Sequence, residues 1–174
     1  MKTDMTEFDL LVIGAGPGGY GAAFRAADLG LRVALVDSEA NPGGVCLYRG
    51  CIPSKALLHV AGFVSEAREA AEWGVMVENV KIDIDKLGEW KRSVVTRLTT
   101  GLGHLVKQRR ITYIRGRARL TGPHSATVRA DEGESTELSF AYAIVATGSI
   151  PATIPGMIDS PRVMTSSQAL DVES

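Results

Sequence analysis

Residues 8–19 read FDLLVIGAGPGG, a short apolar run that ends in a cluster of glycines. The apolar part, 8–13, is nearly continuous, as expected of a strand buried on both faces in a parallel sheet. Apolar residues then recur at helical spacing over 17–29, with Gly30 as a stop, and a second apolar run, LRVALV, occupies 31–36. Because parallel strands need a crossover helix between them, these segments predict a βαβ unit and an α/β fold.

The glycines fit the pattern G-x-G-x-x-G in a strand–turn–helix context. In that context the first glycine permits a tight turn, the second lets a pyrophosphate approach, and the third lets helix and strand pack closely. The amides and dipole at the helix N-terminus can then hold the anion. A carboxylate after the second strand can accept hydrogen bonds from ribose hydroxyls. We therefore predict a dinucleotide site at Gly14, Gly16, Pro17, Gly18, Gly19 and Asp37. The alternative is a glycine-rich turn with an exposed aspartate.

Beyond this unit the pattern predicts a loop over 41–50 and two long helices. Pro53 opens the first helix, which Gly74 closes, and apolar residues recur at helical spacing over about 85–108. We expect the two helices to pair antiparallel.

The rest of the chain predicts strands and a connector. A short strand over 111–114 precedes a β-meander over 117–140, and a separate buried strand, AYAIVA, follows over 141–146. The turn signals of the meander are Gly122-Pro123 and Asp131-Glu132-Gly133, and those of the connector are Pro151, Pro155, Gly156 and Pro161.

The composition is that of an ordinary globular protein. The 174 residues are 45% hydrophobic and 22% charged, and the net charge of -1 offers no field that would attract nucleic acid or an acidic membrane. Residues 1–7 lack the apolar core of a secretory signal, and no stretch is long enough to cross a membrane. We therefore expect a cytoplasmic or organelle-matrix protein, with cytoplasmic as the first choice, and neither nucleic acid nor membrane as a partner.

The two cysteines, Cys46 and Cys51, are separated by four residues. That spacing is neither the C-x-x-C of thioredoxin-like proteins nor a zinc-knuckle spacing. A small ring closed by a disulfide tends to be reducible, and Cys51 lies just before Pro53, where a helix dipole favours a thiolate. The sequence predicts a redox dithiol and no metal. Buried unpaired cysteines, or a zinc site with His59, are the alternatives.

A dithiol beside a dinucleotide site narrows the choice of ligand. Nicotinamide carries hydride, whereas dithiols react through thiolates, so a two-electron relay between them is chemically useful. Flavin is such a relay, and we therefore predict that the dinucleotide is FAD.

Residues 43–58, GGVCLYRGCIPSKALL, resemble the dihydrolipoamide dehydrogenases among the pyridine-nucleotide disulfide oxidoreductases. Glutathione and mercuric reductases share the cysteines and the proline, but IPSKALL is more similar to the lipoamide enzymes. The likeness extends from the first strand to Gly148. It implies a Rossmann-like FAD-binding domain over 1–150, with a parallel sheet, a β-meander and a long antiparallel helix pair. Residues 151–174 would then be a connector toward an NAD-binding domain that is missing from this chain.

The resemblance also implies roles for single residues. Cys46 would exchange with dihydrolipoamide, Cys51 would lie against the flavin, and Lys55 would lie near the reactive edge of its ring. The other implied cofactor contacts follow the ribityl and phosphate chain, the adenine and the last strand end: Gly44, Val45, Gly116, Ala118, Ala146, Thr147 and Gly148.

Three departures from the family pattern are modest. Val45 stands where threonine is commoner, Tyr48-Arg49 replaces an Asn-Val pair, and Asp37 stands where glutamate is usual. The aspartate shortens the ribose anchor by one methylene, but no departure removes a catalytic atom.

The implied activity is FAD-dependent oxidation of protein-bound dihydrolipoamide to lipoamide, with NAD as acceptor, through a Cys46–Cys51 disulfide. The implied partners are the lipoyl domain of a 2-oxo acid dehydrogenase complex or of the glycine cleavage system, and a second copy in a homodimer. His59, His104 and His124 do not match the family's catalytic histidine, so we expect the 174 residues alone to be inactive. A mercuric or glutathione reductase type of enzyme and a non-catalytic FAD-binding module are the alternatives.

Overall fold

The computed structural model describes residues 6–130, 133–152, 154–156, 158, 160 and 162–171. The chain divides into two compact units, Met1–Val45 with Thr99–Ser149 and Cys46–Leu98 with Ile150–Ser174. The predicted domain over 1–150 and connector over 151–174 stay a prediction. Asp131 and Glu132 of the predicted turn, and Pro161 of the predicted connector, lie outside the described residues.

A single sheet forms the first unit. Its six strands are β1 (Thr6–Ile13), β2 (Val33–Asp37), β3 (Thr112–Arg115), β4 (Arg117–Gly122), β5 (Ser125–Arg129) and β6 (Ser135–Val145), and they lie in the order β3-β2-β1-β6-β5-β4. The pairs β3–β2, β2–β1 and β1–β6 are parallel, whereas β6–β5 and β5–β4 are antiparallel. This confirms the α/β fold with a parallel sheet and a meander.

The central strand β1 is buried on both faces, as its apolar run predicts. Leu10 and Val12 pack with Ala23 of helix α1 (Pro17–Asp28), while Leu11 packs with Val128 and other residues of the meander. Leu11 and Val12 are completely buried. Burying one such side chain contributes about 1.5–3 kcal/mol, so β1 is the element around which both cores form.

The prediction of a separate buried strand over 141–146 is wrong. β6 runs without interruption from Ser135 to Val145, because no turn signal separates its two halves. Its first half pairs with β5 as far as Ser139, whereas its second half pairs with β1 alone among the described strands. Residues 141–145 are exposed, and Tyr142 has 75% of its surface accessible. Strand β6 therefore joins the meander to the parallel sheet.

The prediction of a loop over 41–50 is also wrong. Two glycines with positive φ, Gly43 and Gly44, lead into a short helix, α2 (Gly44–Arg49). Gly50 interrupts the helical course with φ -145° and ψ -109°, and α3 (Cys51–Glu69) starts at the next residue. Six residues are too few for apolar spacing to reveal a helix, which is why the sequence pattern missed α2.

The second unit carries the long helices that the apolar spacing predicts. A 3-10 turn, Ala70–Trp73, extends α3 and ends at Gly74, the predicted stop, which has a left-handed conformation with φ 81°. Helix α4 (Ile84–Gln108) starts in the second unit and ends in the first. The rings of His59 on α3 and Trp90 on α4 lie 6.3 Å apart, so these helices touch. None of the described helices is long and apolar enough to cross a membrane.

The third glycine of the turn tests how tightly α1 packs on β1. A Cβ at Gly19 would overlap the carbonyl oxygen of Gly14, whereas a Cβ at Gly21, on the exposed side of the same helix, would meet nothing within 4 Å. We expect Gly19→Ala to lower the free energy of unfolding by about 1–3 kcal/mol, because backbone must move. Gly21→Ala should raise it by about 0.5–1 kcal/mol through reduced chain entropy. Urea unfolding followed by circular dichroism measures the free energy of unfolding of both variants. Equal changes in the two variants would contradict the close packing of α1 on β1 at Gly19.

Candidate functional site

The glycine turn between β1 and α1 presents backbone without side chains. Gly14 has φ 98°, and a Cβ there would press on the carbonyl group of Ala146 at the end of β6. Gly16 precedes α1 in extended conformation, and Pro17 occupies the first helical position. No side chain caps this helix start. The N–H groups of Gly18 and Gly19 have no partner within the helix by their position, so they can receive an anion.

The adjacent glycines Gly43 and Gly44 lie against this turn. The Gly43 N–H donates to the Ala15 carbonyl at 2.9 Å, and a Cβ at Gly44 would be 2.5 Å from the Cα of Gly16. Val45, which follows, has 52% of its surface exposed. The predicted phosphate-chain residues Gly44 and Gly16 are therefore brought together, and the close approach of the two backbones leaves no room for a side chain at Gly44.

Asp37 joins three segments of this unit. One oxygen of its carboxylate accepts the Ala15 N–H at 2.6 Å, and the other accepts the Glu39 N–H at 2.9 Å. Its backbone carbonyl accepts the Gly116 N–H at 2.8 Å. Each carboxylate oxygen keeps a second acceptor site for a ligand hydroxyl. The aspartate thus holds the glycine turn against the end of β2 and the junction between β3 and β4.

A cavity of about 370 Å³ opens beside Asp37 at the carboxyl ends of the parallel strands. The order of the sheet places β2 on one side of β1 and β6 on the other, and crevices at such a switch point bind ligands in α/β sheets. Five of the residues lining it were predicted as cofactor contacts: Gly14, Asp37, Gly116, Ala118 and Thr147. Two further lining residues that have polar side chains, Ser38 and Arg117, were missed. Both are chain neighbours of predicted contacts, which is the signal that could have found them.

The junction between β3 and β4, at Gly116, forms part of the cavity wall. Gly116 has φ 155°, and a Cβ there would lie 2.5 Å from the carbonyl oxygen of Arg129 on β5. A side chain at this position would displace β5, so glycine keeps Gly116 and Ala118 at the cavity wall.

The strand end at β6 closes the same unit. Ala146 donates its N–H to the Ile13 carbonyl at 2.8 Å, Thr147 lines the cavity, and Gly148 has φ 73°. Ala146 and Gly148 themselves do not appear among the lining residues. The structure places this predicted motif next to the glycine turn, through the contact of Ala146 with Gly14.

The two cysteines lie in the second unit, on different helices. Cys46 is on α2, and Cys51 is the first residue of α3. Both are free thiols, and Cys51 is the more exposed of the two. Pro53 is buried within the first turn of α3, as predicted. Lys55 follows Cys51 by four residues on the same helix, so the two positions share one face.

Cys51 influences the pKa of the Cys46 thiol. The hydrogen bond with the Cys51 side chain, and then burial, hold the pKa of Cys46 above its ordinary value. The Cys51 backbone N–H and the charge of Lys55 act in the opposite direction, but they do not cancel these effects. The Cys46 sulfur therefore keeps its proton to higher pH than an ordinary cysteine.

The three histidines lie on α3, on α4 and between β4 and β5. The ring of His59 lies 6.3 Å from that of Trp90, tilted by 30°, in the second unit, and the Nδ1 of His124 lies 3.1 Å from the Ala141 carbonyl in the first. His104 is exposed on α4. Among the described residues, no group of three or more histidine, cysteine or carboxylate side chains is placed to hold a metal ion.

The chain is similar to proteins of one family. The family model described as pyridine nucleotide-disulphide oxidoreductase matches residues 8–174. A dihydrolipoyl dehydrogenase from Vibrio parahaemolyticus is 47% identical over 165 residues, which cover 94% of this chain and 34% of the relative. Another from Bacillus subtilis is 45% identical over 164 residues, again 94% of this chain and 34% of the relative. This chain therefore spans about a third of the length of the curated relatives it matches.

The raised pKa of Cys46 predicts a pH profile. In the reduced chain, alkylation of Cys46 by iodoacetamide should have its midpoint above that of an ordinary thiol, about pH 8.5. Cys51→Ala removes the largest cause of the shift, so the midpoint should fall and alkylation at pH 8 should become several-fold faster. Lys55→Met removes a lowering influence and should move the midpoint upward. Mass spectrometry of the Cys46 peptide gives the rates. A midpoint that does not fall in Cys51→Ala would show that Cys51 does not raise the pKa of Cys46.

Proposed function

Because the chain belongs to the pyridine nucleotide-disulphide oxidoreductase family, we propose that it binds FAD and carries the redox dithiol of a dihydrolipoamide-oxidising protein. The observation that carries this proposal is the hydrogen-bonded pair of Cys46 and Cys51, with Cys51 at the start of α3. The names of the relatives support the lipoamide substrate in particular.

The residues of the first unit fit the adenosine diphosphate half of FAD. A Cβ would collide with neighbouring backbone at Gly14 and Gly19 in the turn and at Gly44 beside it, so the main chain is bare where a pyrophosphate would approach. The N–H groups of Gly18 and Gly19 would hold the phosphates. Asp37 would hold the ribose, and the backbone of Gly116 and Ala118 would face the adenine. Val45, Ala146, Thr147 and Gly148 would complete the contacts.

When bound, the flavin supplies two-electron transfer between a dithiol and a nicotinamide. Cys51 is the cysteine that we place against it, because Cys51 is the more exposed of the two sulfurs and is the first residue of α3. The ammonium of Lys55, on the same face of α3 as Cys51, would favour negative charge on the reduced flavin ring.

The thiol chemistry follows from the order of the two cysteines. A dihydrolipoyl thiolate attacks the Cys46 sulfur of the disulfide, a mixed disulfide forms, and the electron pair of the broken bond goes to Cys51. The second lipoyl thiol then attacks the mixed disulfide and releases oxidised lipoamide and Cys46. The sulfur of Cys46 accepts a proton at this point, in keeping with its raised pKa. The protein dithiol has gained two electrons, and the substrate has lost them.

The remaining parts of the proposal concern the whole protein. NAD is the proposed final electron acceptor, and a lipoyl domain of a 2-oxo acid dehydrogenase complex or of the glycine cleavage system is the proposed protein substrate. A homodimer and a cytoplasmic location complete the proposal. The support is the set of relatives named dihydrolipoyl dehydrogenase, of which this chain covers about a third.

The test uses the absorbance of FAD added to the purified chain. We expect bound flavin, and a long-wavelength band after anaerobic two-electron reduction, because the reduced Cys51 sulfur would lie against the ring. Cys51→Ser should abolish the band and retain the flavin. Cys46→Ser is the matched control, and it should show the band without reduction because Cys51 has no disulfide partner. A wild-type chain that binds no FAD, or a band that survives in Cys51→Ser, would overturn the proposal.

A further inference from the structure

Lys91 on α4 is a buried lysine that the proposed chemistry does not use. Within the described ranges it is the one charged residue that is buried, with 5% of its surface accessible. Removing an ammonium group from water is costly unless hydrogen bonds and an opposite charge compensate for it. The Lys91 Nζ donates to the Leu170 carbonyl at 2.7 Å and lies 3.2 Å from the Asp171 carboxylate.

The partners of Lys91 belong to a short segment, 165–171, at the far end of the described chain. This segment contains α5 (Ser166–Ala169), which is capped by Thr165 and Gln168: the Thr165 N–H donates to the Gln168 Oε1 at 2.8 Å. Four residues do not form a stable helix in isolation, so α5 depends on contacts with the rest of its unit. The buried ammonium, placed at the C-terminal carbonyls of α5, supplies such a contact.

The same lysine borders a cavity that the dithiol helices share. The cavity has a volume of about 300 Å³. One part of its lining comes from the helices that carry the cysteines, and the other part comes from Lys91 and the segment 165–171: Tyr48, Arg49, Pro53, Lys91, Ser167, Gln168, Leu170 and Asp171. The segment therefore stands opposite the residues that connect Cys46 to Cys51.

We propose that Lys91 is a positioning residue for the dithiol, an inference that rests on the redox function proposed above. Cys46 and Cys51 are on separate helices joined only at Gly50. Lys91 tethers the segment 165–171 beside Tyr48, Arg49 and Pro53, and this limits how far α2 moves from the start of α3. A disulfide forms more readily when its two sulfurs are held close together before reaction, since less freedom is then lost.

The tether therefore favours the disulfide over the dithiol. In the reaction of the chain with oxidised glutathione, Cys46 and Cys51 form one disulfide and give two electrons and two protons to one glutathione disulfide, whose S–S bond breaks to release two glutathione thiols. Loss of the tether lowers the equilibrium constant of this reaction, since the sulfurs separate more often in the dithiol. We expect about a three- to tenfold decrease.

The experiment titrates the chain with glutathione buffers and measures the disulfide fraction by alkylation of free thiols. Lys91→Met is compared with Lys86→Met, a change on the same helix at a lysine whose side chain is 82% exposed. We expect Lys91→Met to lower the equilibrium constant and Lys86→Met to leave it unchanged. Lys91→Arg, which keeps the cation, should restore most of the loss. Hydrogen exchange of amides 166–171 should be faster in Lys91→Met alone.

The outcomes separate the two proposals. If the wild-type chain forms no Cys46–Cys51 disulfide, the redox function itself fails. If it forms the disulfide and Lys91→Met matches Lys86→Met, the positioning role is wrong and the redox function stands. If Lys91→Met loses its helical circular dichroism, Asp171→Asn tests the inference instead. Asp171 is exposed, so this substitution removes the charge that pairs with Lys91 without changing a buried side chain. It should shift the equilibrium in the same direction, and an unchanged equilibrium would overturn the inference.

Discussion

The hydrogen bonds of Asp37 are the constraint on which the candidate cofactor site depends. Its carboxylate holds the Ala15 N–H at 2.6 Å, and its carbonyl holds the Gly116 N–H at 2.8 Å. These bonds connect the glycine turn, the end of β2 and the junction between β3 and β4. Those three segments are distant in sequence, yet they form the wall of one cavity. The glycines are needed because they have no side chain: a Cβ at Gly14, Gly19 or Gly44 would collide with neighbouring backbone.

The dithiol depends on a different local device, the interruption at Gly50. It separates α2 from α3 and so gives Cys51 the first position of a 19-residue helix, while Cys46 lies on the short helix before it. Position thereby distinguishes two residues of the same type. The pKa of Cys46 is raised by its hydrogen bond with Cys51, whereas Cys51 is the more exposed sulfur and is the first residue of α3. Such a division suits a pair in which one sulfur meets the substrate and the other the cofactor.

Local spacing predicted the features that local geometry determines. The strand–turn–helix pattern, the long helices, the stop at Gly74 and the place of Pro53 in a first helical turn all follow from residues close in sequence. Other features depend on contacts between residues that are distant in sequence. The exposure of Tyr142, which was predicted to be buried, depends on which strands cover β6, and the burial of Lys91, for which the sequence offered no signal, depends on Leu170, 79 residues away. Helix α2 was missed because six residues carry too little periodicity.

The most direct measurement of the central claim is the affinity of the chain for FAD when the Asp37 carboxylate is removed. Asp37→Ala should weaken binding at least tenfold, since hydrogen bonds to a charged group contribute about 1.5–3 kcal/mol each. Asp28→Ala, which removes a carboxylate that pairs with Arg109 in the same unit, should change the affinity by less than about twofold. Equal affinity of Asp37→Ala and the wild-type chain would contradict the assignment of this cavity to FAD.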